Sequence, residues 1–224
     1  MSSNIELILE DLFKLQRLGI KVGLEHTEKL LKAIGDPHFN LNLIHIAGTN
    51  GKGSTCAIIN KILIESGMTV GLYTSPHLVS FNERIQVNNQ KISDHDIAFF
   101  MKKNMDHIKK INTTFFETTT AMAFDYFYKK SVDFAIIETG LGGRLDSTNV
   151  ISPLVCGITS ISVDHSDVLG NTIEEISKEK AGIIKKNTPV YIFEQNENIV
   201  EIIKKRSAKK SSFLTIIKSD DIDL

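Results

Sequence analysis

A glycine-rich segment at residues 48–54, with the sequence GTNGKGS, directly follows an apolar run at residues 41–47. Residues 55–66 then read as a helix that Gly67 ends. A strand, a short glycine-rich turn and a helix in this order bring backbone N–H groups, the positive helix end and the Lys52 ammonium to one place. We therefore predict a phosphate-binding loop. The alternative is a tight turn with an incidental lysine, because Gly53 separates Lys52 from Ser54 and departs from the strict GxxxxGK[ST] pattern.

The rest of the chain alternates between apolar runs and helical patterns. Such alternation predicts an α/β fold, with a mostly parallel sheet and flanking helices. A small hairpin is expected around residues 84–92. Ligands of parallel sheets lie beyond the carboxyl ends of the strands, and the candidate motifs fall there. The further strands are predicted at 68–74, 132–137, 154–159, 190–193 and 213–217, and the helices at 5–18, 25–34, 94–111, 118–129 and 173–185, with one more helix after residue 193.

Charge and cysteine content exclude several classes of function. The 224 residues contain 26 Lys+Arg and 27 Asp+Glu, for a formal net charge of −1, which argues against a nucleic-acid or membrane-surface binder. The basic cluster at 204–210 is read as a solvated helix face. Cys56 and Cys156 do not form a disulfide framework, and the N-terminus lacks a basic signal-peptide region. These features predict a cytoplasmic protein.

Seven segments in a fixed order resemble the folylpolyglutamate synthase / dihydrofolate synthase family of the Mur-ligase superfamily. No single segment is specific, but their combination is. They are AGTNGKGS at 47–54, YTSPHL at 73–78, FNERI at 81–85, TFFETTTA at 114–121, IETGLGGRLDSTN at 137–149, VDHSDVLGNT at 163–172 and KEKAGIIK at 178–185.

The resemblance implies a P-loop NTPase-like fold, the Mur-ligase central domain, and an ATP- and Mg²⁺-dependent ligase. The implied enzyme would add L-glutamate to dihydropteroate or to a folate through an acyl-phosphate intermediate. The implied phosphate-binding residues are Gly48, Thr49, Asn50, Gly51, Lys52, Gly53 and Ser54, the implied metal ligands are Ser75, Glu138 and His165, the implied catalytic residues are Lys52, His165 and Lys180, and the implied pterin-binding residues are Gly23, Thr114, Phe116, Glu117, Leu145, Asp146 and Ser147.

Each implied role has a plainer alternative. Glu138 follows an apolar strand, where an NTPase metal ligand is typically found, but a solvated acid also fits. Ser75 could be a loop serine before Pro76. His165 could be a hydrogen-bonded structural residue, since Mg²⁺ prefers oxygen ligands. Lys180 matches a lysine that is carbamoylated in the family, but most lysines are solvated. Many relatives carry arginine where this chain has His26.

The domain expectation is a single Mur-ligase-type ATP-binding domain over residues 1–224, incomplete at its C-terminal end, with the C-terminal ligase domain absent. A family segment reading DGAHN does not occur in the sequence. A site shared between two domains is not completed by one, so we expect weak ATP·Mg²⁺ binding and little or no ligase activity from this chain alone. The alternatives are another Mur-type amino-acid ligase and a non-catalytic nucleotide- or pterin-binding module.

Overall fold

The computed structural model of the protein describes residues 2–19, 23–164 and 166–218. Within these residues eight strands form one sheet, and helices connect most of them. The strands are β1 Leu43–Ala47, β2 Val70–Tyr73, β3 Ile85–Val87, β4 Gln90–Lys91, β5 Phe134–Glu138, β6 Val155–Ile158, β7 Val190–Phe193 and β8 Leu214–Ile217, and the helices are α1 Ser2–Lys14, α2 Glu25–Ala33, α3 Lys52–Glu65, α4 Asp94–Ile111, α5 Phe115–Lys129, α6 Ser166–Leu169, α7 Ile173–Lys180 and α8 Glu197–Lys209.

The strand order in the sheet is β4-β3-β2-β5-β1-β6-β7-β8. The pairs β2–β3 and β3–β4 are antiparallel, and all other pairs are parallel. Strand β1 lies between β5 and β6, although both follow it by many residues in the chain. The carboxyl ends of β1, β2, β5 and β6 therefore meet at one edge of the sheet, and this edge carries the predicted site.

Alternate residues of β1 pack on opposite faces of the sheet. Ile44 and Ile46 belong to a core with Cys56 of α3, whereas Leu43 belongs to the core formed with α2, α4 and α5. Burial of both faces explains why β1 is apolar along its length, with His45 as the exception. None of the helices in the described residues is long and apolar enough to cross a membrane.

The predicted fold class and hairpin are confirmed, and several helix boundaries differ from the prediction, among them those of α1, α3, α5 and α7. Helix α5 begins at Phe115, earlier than the predicted residue 118, because Thr114 and Glu117 form a capping box around its first turn. Helix α7 ends at Lys180, not at residue 185, and a short 3-10 turn follows. Gly182 in that turn lies so close to Arg144 that an added Cβ would be 2.3 Å from the Arg144 Cβ.

Candidate active site

The glycine-rich segment forms the connection between β1 and α3, as predicted. Gly48 has a φ of 150° and Gly51 a φ of 85°, and Gly51 is the N-cap of α3. No side chain caps this helix end, so its first N–H groups stay available to an anion. Lys52 is half-buried, and its Nζ donates hydrogen bonds to the carbonyl oxygens of Gly48 and Thr49, both at 3.1 Å. The loop thus offers N–H donors and a cation to a phosphate group.

The loop is fixed by a segment after β6 that the sequence reasoning missed. Thr49 donates its N–H to the Ser160 carbonyl at 2.8 Å and its hydroxyl to the Ser162 carbonyl at 3.0 Å. The Ser160 hydroxyl donates to the Asn50 carbonyl at 3.2 Å. A Cβ added to Gly48 would lie only 1.8 Å from Thr159 Oγ1. The Thr159 side chain therefore leaves no room for a larger residue at position 48. A run of small polar residues directly after a buried strand was the available signal.

Glu138 ends β5 beside the first turn of α3. Its side chain is buried, and its carboxylate accepts the backbone N–H of Ser75 at 3.1 Å. A Cβ added to Gly53 would lie 3.8 Å from Oε2, so the carboxylate approaches the phosphate loop closely. Burial raises the pKa of Glu138, while the Ser75 N–H and the Lys52 charge act to lower it. The alternative of a solvated strand-end acid is therefore wrong.

The Glu138 carboxylate and the Ser75 hydroxyl suit a divalent cation. Oxygen donors are the ligands that Mg²⁺ prefers, and a cation would offset the cost of burying the carboxylate. His165, the third predicted ligand, lies outside the described residues. Within residues 2–19, 23–164 and 166–218, no group of three or more His, Cys, Asp or Glu side chains is placed so that it could hold a metal ion.

Lys180, the last residue of α7, is buried with an exposure of only 3%. Its Nζ donates a hydrogen bond to the Gly48 carbonyl at 2.8 Å. The same carbonyl accepts from Lys52, so two lysines converge on the phosphate loop. The pKa of Lys180 is lowered to about 8, mainly by burial and to a lesser extent by the charge of Lys52. The alternative of a solvated surface lysine is wrong.

A cavity of about 460 Å³ opens next to this cluster. Arg84 lines it and is the clearest feature that sequence reasoning did not assign to the site. Arg84 is buried, donates from Nε to His77 Nδ1 at 2.7 Å, and stacks over Phe115 at 5.2 Å from the ring centroid. Burial lowers its pKa. The cavity brings together Ser75, Thr114, Phe116, Leu145, Asp146 and Ser147 of the predicted residues.

Glu117 and Gly23 are not among the residues that line this cavity. Glu117 instead caps α5, since its Oε2 accepts the Thr114 N–H at 2.6 Å. Its Oε1 lies 3.4 Å from His26 Nδ1. The Glu117 carboxylate thus fixes the helix start that presents Thr114 and Phe116 to the cavity.

Comparisons with known proteins show the family of this chain. Residues 46–223 match the family model of the Mur ligase middle domain, so the chain belongs to the Mur ligase family. Within that family, its relatives belong to the folylpolyglutamate synthase / dihydrofolate synthase group, as the motifs indicated. The chain is 44% identical over 203 residues to the dihydrofolate synthase/folylpolyglutamate synthase of Bacillus subtilis (strain 168), covering 88% of this chain and 47% of that protein.

Two further comparisons point the same way. The chain is 40% identical over 209 residues to the dihydrofolate synthetase of Saccharomyces cerevisiae, covering 90% of this chain and 49% of that protein. The solved FPGS–AMPPCP–folate complex superimposes with a TM-score of 0.84 at 38% identity, covering 88% of this chain and 50% of that one. The chain spans about half the length of the curated relatives it matches.

Proposed function

We propose that these residues form the nucleotide- and pterin-binding part of an ATP-dependent ligase that joins L-glutamate to dihydropteroate or a folate. The observation that carries the proposal is the convergence of the phosphate loop, Glu138 and Lys180 at one edge of the sheet, beside a cavity of about 460 Å³. The names of the relatives and the AMPPCP–folate complex of a similar structure support the choice of ligands.

In this proposal the substrate carboxylate attacks the γ-phosphorus of ATP. The bond from that phosphorus to the bridging oxygen breaks, ADP leaves, and an acyl phosphate forms. The glutamate amine then attacks the acyl carbon, the amine loses a proton, and phosphate leaves as the amide forms. Both steps gather negative charge, so the N–H groups of residues 48–54 and the Lys52 ammonium would hold and orient the phosphates.

Ser75, Glu138 and His165 are the proposed holders of Mg²⁺, which when bound neutralises charge on the phosphate oxygens. Lys180 is proposed to carry a carbamate, formed when its Nζ attacks CO₂ and loses a proton. Its burial and its position beside Lys52 support this, because a carbamate would replace the repulsion between two cations with an attraction.

On the substrate side, Thr114, Phe116, Leu145, Asp146 and Ser147 are proposed to contact the pterin. The Phe116 ring offers a flat apolar surface for the heterocycle, and the Asp146 carboxylate offers an acceptor for its amino group. Glu117 is proposed to act from behind this surface, because it caps the helix that carries Phe116, and Gly23 stays a proposed pterin residue although it does not line the cavity.

The nucleotide assignment is tested by the affinity of the 224-residue chain for AMPPCP with Mg²⁺, measured by calorimetry. Lys52→Ala should weaken binding about tenfold or more, because a full charge at the phosphates is lost. The matched control is Lys61→Ala, on the same helix but exposed and paired with Glu65. Equal affinity for Lys52→Ala and wild type would refute the phosphate-loop role.

The reaction itself is tested by glutamate-dependent ADP release with dihydropteroate as substrate. We expect little or no release from the 224 residues alone, because the site of a two-domain ligase needs groups from both domains. Turnover equal to that of a relative of full length would contradict this part of the proposal. If a longer polypeptide that includes a C-terminal ligase domain binds AMPPCP and dihydropteroate but catalyses no reaction, the alternative of a non-catalytic binding module is favoured.

A further inference from the structure

His45 is a polar residue in the middle of an otherwise apolar strand. It is fully buried within β1, between Ile137 of β5 and Cys156 of β6. Its Nε2 lies 2.8 Å from the Thr148 hydroxyl. Its Nδ1 is buried and has no hydrogen-bond partner among the described residues. An unpaired buried acceptor is a cost to folding, so stability alone does not explain a histidine at this position.

The Thr148 hydroxyl links His45 to Asp146. Thr148 is fully buried, and its Oγ1 donates to Asp146 Oδ1 at 2.5 Å. A hydroxyl has one proton, and that proton is directed to the carboxylate, so the Thr148 oxygen must accept from His45. The donor is then the Nε2–H of a neutral imidazole, which leaves Nδ1 unprotonated and agrees with its lack of an acceptor partner.

Asp146 stands at the cavity end of this chain of hydrogen bonds. Its Oδ1 also accepts the Thr148 N–H at 3.0 Å, and its Oδ2 accepts the Leu141 N–H at 2.8 Å. Asp146 is buried, yet it lines the cavity between Leu145 and Ser147. Its carboxylate is therefore held in one orientation by donors from Thr148 and Leu141.

We propose that His45 is a positioning residue for the pterin site: its Nε2–H fixes the Thr148 hydroxyl, which in turn fixes the Asp146 carboxylate toward the cavity. This inference rests on the proposed function, which assigns Asp146 to the pterin. Hydrogen bonds in such a chain polarise one another, so loss of the first donor loosens the last acceptor. His45 itself lies in the sheet interior and acts only through Thr148.

Paired variants of the 224-residue chain test this by calorimetry with dihydropteroate. His45→Met and Thr148→Val remove the donor and the hydroxyl at similar volume and should weaken dihydropteroate binding about fivefold and about tenfold. His45→Gln and Thr148→Ser keep a donor and a hydroxyl and should stay within about twofold of wild type. The double variant H45M/T148V should bind no more weakly than Thr148→Val, because both changes break one chain.

AMPPCP affinity and thermal stability separate positioning from general damage. Both should change little in His45→Met, since the change removes an unpaired buried nitrogen. The inference is overturned if His45→Met binds dihydropteroate like wild type while Asp146→Asn binds it weakly. It is equally overturned if His45→Met weakens AMPPCP and dihydropteroate to the same extent, because that result indicates a structural role.

A readout without ligand distinguishes failure of this inference from failure of the proposed function. The imidazole ¹⁵N shifts of His45 should show the Nε2–H tautomer, and Thr148→Val should change them. An Nδ1–H tautomer in the wild-type chain overturns the inference whatever the ligand. Absence of dihydropteroate binding by wild type, together with the Nε2–H tautomer, refutes the assigned pterin site and with it the role of His45 in that site, while leaving the hydrogen-bond chain intact.

Discussion

The contact between Gly48 and Thr159 sets a specific energetic expectation. An alanine at position 48 would place its Cβ 1.8 Å from Thr159 Oγ1 and 3.2 Å from the Thr159 backbone nitrogen, at a φ of +150°. The left-handed backbone costs about 1–2 kcal/mol for a residue with a Cβ. Forcing an extra methyl group into a packed site costs about 1–3 kcal/mol. Gly48→Ala should therefore lower the free energy of unfolding by about 2–5 kcal/mol.

The assay is urea denaturation followed by circular dichroism, with Gly67→Ala as the matched control. Gly67 also has a positive φ, of +83°, but an added Cβ would meet no atom within 4 Å. Its cost should be the backbone part alone, about 1–2 kcal/mol. In the Gly48→Ala background, Thr159→Ala removes the obstructing hydroxyl and should recover about 1 kcal/mol or more, whereas Thr159→Ser keeps it and should recover little.

Two results would refute the reasoning. Equal destabilisation by Gly48→Ala and Gly67→Ala would mean that the approach of Thr159 to the loop has no energetic weight. Equal recovery by Thr159→Ala and Thr159→Ser would mean that the hydroxyl is not the obstacle. AMPPCP affinity, measured on the same variants under folded conditions, should fall with Gly48→Ala, because the carbonyl of this residue also accepts from Lys52 and Lys180.

Two further predictions concern the interior and the cavity. Burial and then the charge of Lys185 lower the pKa of His45 to about 3, so below about pH 6.5 the unfolded chain binds a proton that the folded chain does not. The contribution of His45 to the free energy of unfolding should thus fall by about 1.4 kcal/mol per pH unit as the pH is lowered from about 6.5 towards 3. His45→Met should remove that part of the pH dependence, measured by urea denaturation at several pH values. An unchanged pH dependence in His45→Met would contradict the prediction. In Gly140→Ala, the new Cβ would lie 2.4 Å from the Phe116 ring and displace it. Dihydropteroate affinity, measured by calorimetry, should therefore fall about tenfold while AMPPCP affinity stays constant. Unchanged dihydropteroate affinity would contradict a contact between Phe116 and the pterin.

Local patterns predicted much of the architecture. The order of strands and helices, the phosphate loop and the hairpin follow from apolar runs, glycine positions and helix caps, which act over a few residues. Helix boundaries were less predictable where a helix cap or a tertiary contact shifted the end that the apolar pattern indicated. Thr114 and Glu117 started α5 early, and the close approach of Gly182 to Arg144 coincides with the early end of α7.

The site was predicted less completely, because several of its groups act through contacts that no local pattern contains. Arg84 carried a motif resemblance, but its stacking over Phe115 and its hydrogen bond to His77 depend on how the hairpin joins the sheet. Glu117 was expected at the pterin, and the structure gives its carboxylate a helix-capping position. His45 had no signal except a polar residue within an apolar run.

By itself, the sequence determined the kind of elements, the strand–loop–helix unit that holds Lys52, and the family motifs. Only the tertiary structure decided that Lys180, 132 residues from Gly48, reaches its carbonyl, and that His45 reaches Thr148 over 103 residues. The physical reason is the sheet order. Strand β1 pairs with β5 and β6, so the ends of three distant segments meet around the phosphate loop, and burial there changes a lysine expected in solvent into an amine with a pKa of about 8.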